Sequence, residues 1–393
     1  MDSTFLALLE YTKAALNQTT SSIHIDDEEQ FFLIARQQGL SGMFYPALGK
    51  STNESLKIKL RDEFYRYTKA DALQEDAIIK ITNAFASNQI PHVFLKGAYM
   101  KRLYPNTSMR SMGDIDVLIP KEKKLNATKV MISLGFSKTS EGPTHDVFEK
   151  GRIHVEVHPE VDQHFDPLHL KSLIGLWDRV IEDTLFSYRL NDIDLGIYLL
   201  AHLAKHFRSS GVGMRQILDI GIWENHVRST LNNSEWISKL RETQLYRFYI
   251  SISWLNQRWF NIIPLLNDIE PCDISEAEFN RIETYIIASG VHGKAEGFNS
   301  TLPRFTSEMR SNPKSHHPKL SVFLSTVFPR YDQIVISYTY LKRHKWLLPI
   351  AWVSRWFNWI FKQPSRSLRK LKEYNLSDKL IQDNSELYKK LGL

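Results

Sequence analysis

Cysteine is almost absent: Cys272 stands alone in 393 residues. A lone thiol excludes an intramolecular disulfide framework and a multi-cysteine zinc cluster, and it fits a reducing compartment. Long apolar runs are missing too. The most apolar late stretch, 346–361, is interrupted by Pro349, Ser354, Arg355 and Asn358, whereas a spanning helix needs about 20 mostly apolar residues. The N-terminus lacks a basic region, and Asp2 and Glu10 bracket its short apolar stretch. No signal peptide is expected, and a cytoplasmic protein is. Glycine-rich Rossmann and P-loop patterns are absent, as are Ser or Cys nucleophile motifs. No repeat of fixed period is visible.

What is present is ordinary in bulk and uneven in detail. The hydrophobic fraction is 42% and the charged fraction 24%, as in globular chains, and the length favours more than one domain or lobe. The net charge of +6 is not spread evenly. Residues 319–372 hold eleven bases and one acid, Asp332, a net of +10; the remainder, with 39 bases and 43 acids, nets −4.

Periodicity divides the chain. Residues 1–88 read as a helical lobe, with Asp26-Asp27-Glu28-Glu29 supplying an N-cap and first-turn acids. A long helix is expected over 54–88, with a break near Asp71. At Gln89-Ile90-Pro91 the pattern changes to short strands: 92–95, 114–119, 136–140, 147–150 and 153–158, with helices between the first three. Gly135 is placed to cap the second of these helices. Helices resume from Pro167 through 296. Residues 297–318, with three prolines, read as a polar linker or loop, and 319–393 as a basic, aromatic C-terminal segment. The elements imply an α+β protein: a small mixed β-sheet core over 89–166, flanked by helical lobes at 1–88 and 167–296.

The chemistry concentrates in the sheet. In Asp114-Ile115-Asp116 the two carboxylates stand on one face of the expected strand while Ile115 points to the core. Adjacent like charges are unfavourable unless a cation lies between them; oxygen ligands at this spacing suit Mg²⁺ or Mn²⁺. Glu156 is the candidate third acid. It shares a strand face with His154 and His158, both candidates for the site wall. Asp162 is a weaker candidate. Lys96-Gly97 closes a strand and opens a helix, where a phosphate can approach the backbone and meet a cation. Arg110, in the loop before Asp114, could grip a phosphate in bidentate fashion.

This ordered set of strand, Lys-Gly, helix, Arg, acid pair, helix and strand-borne acid resembles the polymerase-β-type nucleotidyltransferase superfamily. Within it, the chain most resembles the bacterial family of uncharacterised nucleotidyltransferases often associated with polysaccharide gene clusters. The resemblance covers roughly 28–360 and is sharpest over 94–158. It implies a nucleotidyltransferase core with Asp114, Asp116 and Glu156 as metal ligands. The implied reaction is transfer of a nucleoside monophosphate from an NTP to an acceptor. The chain departs from the superfamily at the first turn, where Lys96-Gly97-Ala98 stands in place of Gly-Gly or Gly-Ser.

Three features leave alternatives open. His202 and His206, one helical turn apart, suit helix packing, the wall of the nucleotide or acceptor site, or a metal. Asp219 either pairs with Arg215 along a helix or faces the site. The basic segment, with Trp346, Trp352, Trp356 and Trp359, suits packing on the body, a membrane surface or membrane-bound partner, or nucleic acid. Two rivals to catalysis of this kind are a protein that binds nucleotide or sugar nucleotide without turnover, and an enzyme that modifies protein or tRNA in a toxin–antitoxin pair.

Overall fold

The computed structural model describes residues 3–49, 52–142, 144–161, 165–209, 211–266, 274–291, 302, 305–306, 308, 318–335, 337–362 and 376–393. Four helices open the chain: α1 (Ser3–Leu16), α2 (Glu28–Gln37), α3 (Ser41–Phe44) and the 34-residue α4 (Glu54–Ser87). Asp27 caps α2 by accepting from the Gln30 N–H, and Glu28 and Glu29 occupy its first turn. α4 runs unbroken through Asp71, contrary to the expected break. The Asp71 carboxylate is matched by the buried Lys101 ammonium at 2.8 Å and by the Thr107 hydroxyl at 2.6 Å, so its polarity is satisfied without bending the backbone.

A mixed sheet follows. Its strands are β1 (His92–Phe94), β2 (Ile115–Leu118), β3 (Ser137–Glu141), β4 (Asp146–Lys150), β5 (Ile153–His158), β6 (Ile181–Thr184) and β7 (Ser187–Arg189). The seven strands lie in the order β3-β4-β5-β2-β1-β7-β6. β2 runs parallel to β5 and antiparallel to β1. α5 (Gly97–Met100) follows β1, and α6 (Lys124–Ser133) follows β2. Gly135, at φ +84°, takes the left-handed conformation that ends α6.

The β6–β7 hairpin lies where only helices were expected. Its turn is Leu185-Phe186, with Phe186 at φ 62°, so it lacks the Asn-Gly or Gly residues that announce such turns. β6 is exposed along its whole length, which removes the apolar alternation as well.

Alternation does orient the central strands. Ile115, Val117, Val155 and Val157 join a core with Ile78, Ile81 and Phe85 of α4 and Val130 and Met131 of α6. Asp116, Glu156 and His158 fall on the other face by the two-residue period. That face is roofed by α8 (Asp192–Ser209) and α9 (Met214–Val227). α7 (Pro167–Leu173) precedes the hairpin, and α10 (Asn233–Glu242), α11 (Tyr246–Phe260) and α12 (Glu276–Ser289) complete the helical body. The turn between α10 and α11 holds Gln244 at φ 57°. The N-terminal helices share one core with α8, α9 and α11; the Phe5 and Trp259 rings meet edge-on at 5.6 Å.

Glu224 lies fully buried in α9. The Ser253 hydroxyl donates to it at 2.6 Å, and burial pushes its carboxyl up to about 7. An unfolded glutamate ionises in the ordinary range, so the folded state holds the extra proton between the two values. Stability is therefore full below the ordinary glutamate range and falls as pH rises toward neutrality, by about 3 kcal/mol. Glu224→Gln should flatten this dependence. Urea unfolding of both proteins at about pH 5 and about pH 7.5 measures it, and equal slopes would contradict the assignment.

Candidate active site

The floor of the site is set by strand register. Asp116 of β2 lies opposite Glu156 of β5, and Leu118 opposite His158. Asp116 is buried. Its Oδ1 accepts from the Lys96 Nζ at 3.2 Å and lies 3.0 Å from the His158 Nε2. The same imidazole nitrogen is 3.3 Å from Glu156 Oε2, while His145 Nε2 is 3.7 Å from Glu156 Oε1. Lys96 reaches this position from a strained backbone, φ 42° and ψ −112°, which a non-glycine residue adopts only at a cost.

These contacts dictate the charges. Burial alone would raise the Asp116 carboxyl, but the Lys96 ammonium and the His158 hydrogen bond hold it well below the ordinary range. The His158 hydrogen bond likewise lowers Glu156. Burial opposes the charge on His158, and the two carboxylates overcome it and raise its pKa. Asp114 differs. It sits in the bend just before β2, not on the strand as expected, and is exposed at the mouth. Partial desolvation and then the Glu156 and Asp116 charges push its carboxyl above the ordinary value. A carboxylate crowded in this way is relieved by a cation beside it, so the donor set fits a divalent metal. Among the described residues, the set of three ligand groups that closes within 4.8 Å is His145, Glu156 and His158; the three acids line the same cavity more loosely.

Other lining residues are basic. Arg66 of α4, Arg110, and Arg215 of α9 line a cavity of about 720 Å³ together with the acids. Such a volume suits a small organic ligand. Asp219 of α9 bonds to Arg110 in bidentate fashion, at 3.0 and 2.9 Å, and accepts from the Tyr104 hydroxyl at 2.9 Å. It does not pair with Arg215, which donates to the Ser111 carbonyl and hydroxyl instead. Arg110 thus spends its Nε and Nη2 donors on Asp219, while Nη1, which donates to the Ser111 carbonyl at 3.5 Å, lies nearest the first turn. A Cβ at Gly97 would lie 2.7 Å from that nitrogen and 2.7 Å from Met112 Sδ. Glycine is needed here for space. The Gln74 amide of α4 donates to the Met112 carbonyl at 2.8 Å and holds the loop in place.

Lys96, Gly97, Arg110, Asp114, Asp116, Glu156, His158, His202, His206 and Asp219 all line this one cavity. His202 and His206 contact each other through their Nε2 atoms at 3.1 Å. His154 points elsewhere, to Glu149 at 3.2 Å, and Asp162 lies outside the described residues. Sequence reasoning missed His145 and Arg66 and considered Arg215 only as a partner for Asp219. No local pattern marks His145, which reaches Glu156 because β4 pairs with β5.

A family model described as "Uncharacterised nucleotidyltransferase" matches residues 25–261, a span that contains every cavity residue named above. Comparison with curated proteins gives no match. Among solved structures, the antibiotic-resistance factor ANT(2'')-Ia is similar at 14% identity and a TM-score of 0.34, covering 48% of this chain and 99% of that one.

The Arg110–Asp219 pair yields a stability test. Asp219→Ala leaves a buried guanidinium and the Tyr104 hydroxyl without their acceptor, which should cost about 3–5 kcal/mol. Joint replacement, Arg110→Met with Asp219→Leu, should cost less than the single change. Urea unfolding of the three variants decides it, and a double variant less stable than Asp219→Ala would be the wrong result.

Proposed function

The chain belongs to the uncharacterised nucleotidyltransferase family, and on that premise we propose Mg²⁺- or Mn²⁺-dependent transfer of a nucleoside monophosphate from an NTP to an acceptor hydroxyl or phosphate. The observation that carries this reading is that one cavity joins Asp114, Asp116 and Glu156, carried at and just before β2 and on β5, with Arg66, Arg110 and Arg215, carried on α4, in the loop before β2 and on α9. A metal-bound triphosphate has the complementary polarity.

Asp114, Asp116 and Glu156 would hold the divalent ion, which when bound screens phosphate charge and polarises the reacting oxygens. The residues of the chain do the rest. Lys96, beside Asp116, and the Nη1 of Arg110 offer donors beside Gly97, whose missing side chain lets the Arg110 guanidinium and Met112 pack against the first turn. Arg215 and Arg66 extend the cationic wall. The acceptor oxygen bonds to the α-phosphorus, the bond from that phosphorus to the bridging oxygen breaks, and pyrophosphate leaves. Glu156, kept ionised by His158, would help activate the acceptor hydroxyl. Catalysis of this kind rests on positioning and charge stabilisation. His202 and His206 would form part of the acceptor or nucleotide wall.

A second reading, binding without turnover, is favoured by one observation: Lys96 and His158 already occupy Asp116 Oδ1, so a cation must compete with them.

The experiment is a screen of the four NTPs with Mg²⁺ or Mn²⁺ for pyrophosphate release, with sugar phosphates among the acceptors. Asp114→Asn with Asp116→Asn should lower release by about a thousandfold or more and weaken Mn²⁺ binding in calorimetry. Unchanged turnover in that variant would end the catalytic assignment. Tight NTP binding without release in the unaltered protein would select the second reading.

A further inference from the structure

A second surface lies outside the cavity. Around the helix Leu348–Phe357, the side chains of Trp346, Ile350, Val353, Phe357 and Phe361 are between 57% and 74% exposed. Ile350, Val353 and Phe357 fall on one stripe of the helical wheel, within about 60°, and Trp346 and Phe361 continue the exposed row beyond the two ends of the helix. The helix is not loose. Trp352 and Trp356, on a different face, donate their ring N–H groups to the Pro329 and Val327 carbonyls at 2.9 and 2.8 Å. Their rings meet Phe328 edge-on at 5.3 and 5.2 Å, and Ala351 is buried. The helix is therefore anchored by its other side while the apolar stripe faces outward. On the neighbouring helix Pro318–Val327, Leu320 and Leu324 are also exposed, one turn apart.

Charge identifies the occupant. The stripe begins at Trp346, directly after the exposed bases Lys342, Arg343 and Lys345, and Asp332 is the one acid in residues 319–372. A second copy of this chain would bring two such cationic surfaces together. A single-stranded nucleic acid would need flat rings in succession to stack on, but the middle of the stripe is aliphatic, Ile350 and Val353. An anionic bilayer matches both halves. Trp346 suits headgroup depth, the aliphatic and phenyl side chains suit the acyl boundary, and the bases meet lipid charge. No helix among the described residues is long and apolar enough to cross a membrane, so the contact lies in the interface plane.

We propose that this face docks the protein on a bilayer surface rich in anionic lipid. This goes beyond the cavity's chemistry and does not depend on it.

The test is flotation of the full chain with phosphatidylcholine vesicles, and with vesicles in which about a third of the lipid is phosphatidylglycerol. The protein should float with the anionic vesicles at least about tenfold more than with neutral ones, and less as salt rises. Ile350→Glu with Val353→Glu should abolish flotation. Lys342→Glu with Arg343→Glu should remove its salt-sensitive part. Both variants should keep the thermal midpoint and the NTP chemistry of the unaltered protein. Absence of flotation with anionic vesicles, or flotation indifferent to Ile350→Glu with Val353→Glu, would overturn the proposal. So would self-association or oligonucleotide retention that these substitutions remove while vesicles go unbound.

Discussion

A buried carboxylate in the middle of a sheet has to be matched by positive charge, and the surroundings of Asp116 are organised around that requirement. The strand offers no cation of its own. Lys96 supplies one from the end of β1, at the expense of a left-handed backbone. His158 supplies a second from β5, where register places it two residue pairs further along from Glu156 and so on the same face. The imidazole then serves both carboxylates, Asp116 and Glu156. Three strands are thereby tied together on their polar face, while Ile115, Val117, Val155 and Val157 tie β2 and β5 on the apolar one. Every other feature of the cavity is arranged relative to this floor.

The basic wall is held by a different principle. Arg110 and Asp219 satisfy each other in the interior, and Tyr104 closes the set. A buried pair of this kind adds little net stability over apolar packing, but it fixes geometry because breaking it is costly. It joins the loop before β2 to α9. α4 reaches the same loop from the other side through Gln74, and its acids Asp71 and Glu75 bury Lys101 just downstream of α5. The loop that carries Asp114 to its bend is therefore braced by one helix that precedes it in sequence and one that follows it.

Legibility in the sequence followed how local each signal was. Strands β1, β2 and β5 announced themselves through short apolar runs and alternation, and the acids they carry fell on the expected face. The α6 stop at Gly135 was equally local. The β6–β7 hairpin was not legible, because an exposed strand carries no alternation and Phe186 gives no hint of a left-handed turn. His145 depends on strand pairing, and Arg110's engagement with Asp219 on a contact between residues 109 apart in sequence. A charged side chain reads the same from sequence whether it faces a ligand or another side chain. Asp219 illustrates the ambiguity: the helix spacing pointed to Arg215, while tertiary packing delivered Arg110.

The two halves of the cavity also explain why neither cancels the other. Arg66, Arg110 and Arg215 could collapse onto Asp114, Asp116 and Glu156 as ion pairs and leave no site. They do not, because Asp116 and Glu156 are committed to Lys96, His158 and His145 on the sheet, and Arg110 and Arg215 to Asp219 and Ser111 on the helical side. Each of these groups is neutralised or hydrogen-bonded by a neighbour on its own side, and Asp114 is left exposed beside the open space. A cavity built in this way keeps a standing separation of charge. A lone cation would satisfy only the acids, and a lone polyanion only the arginines. A ligand that carries both, a divalent ion on a row of phosphates, satisfies both sides at once, which is why the separation of charge favours the proposed metal–triphosphate substrate over either component alone.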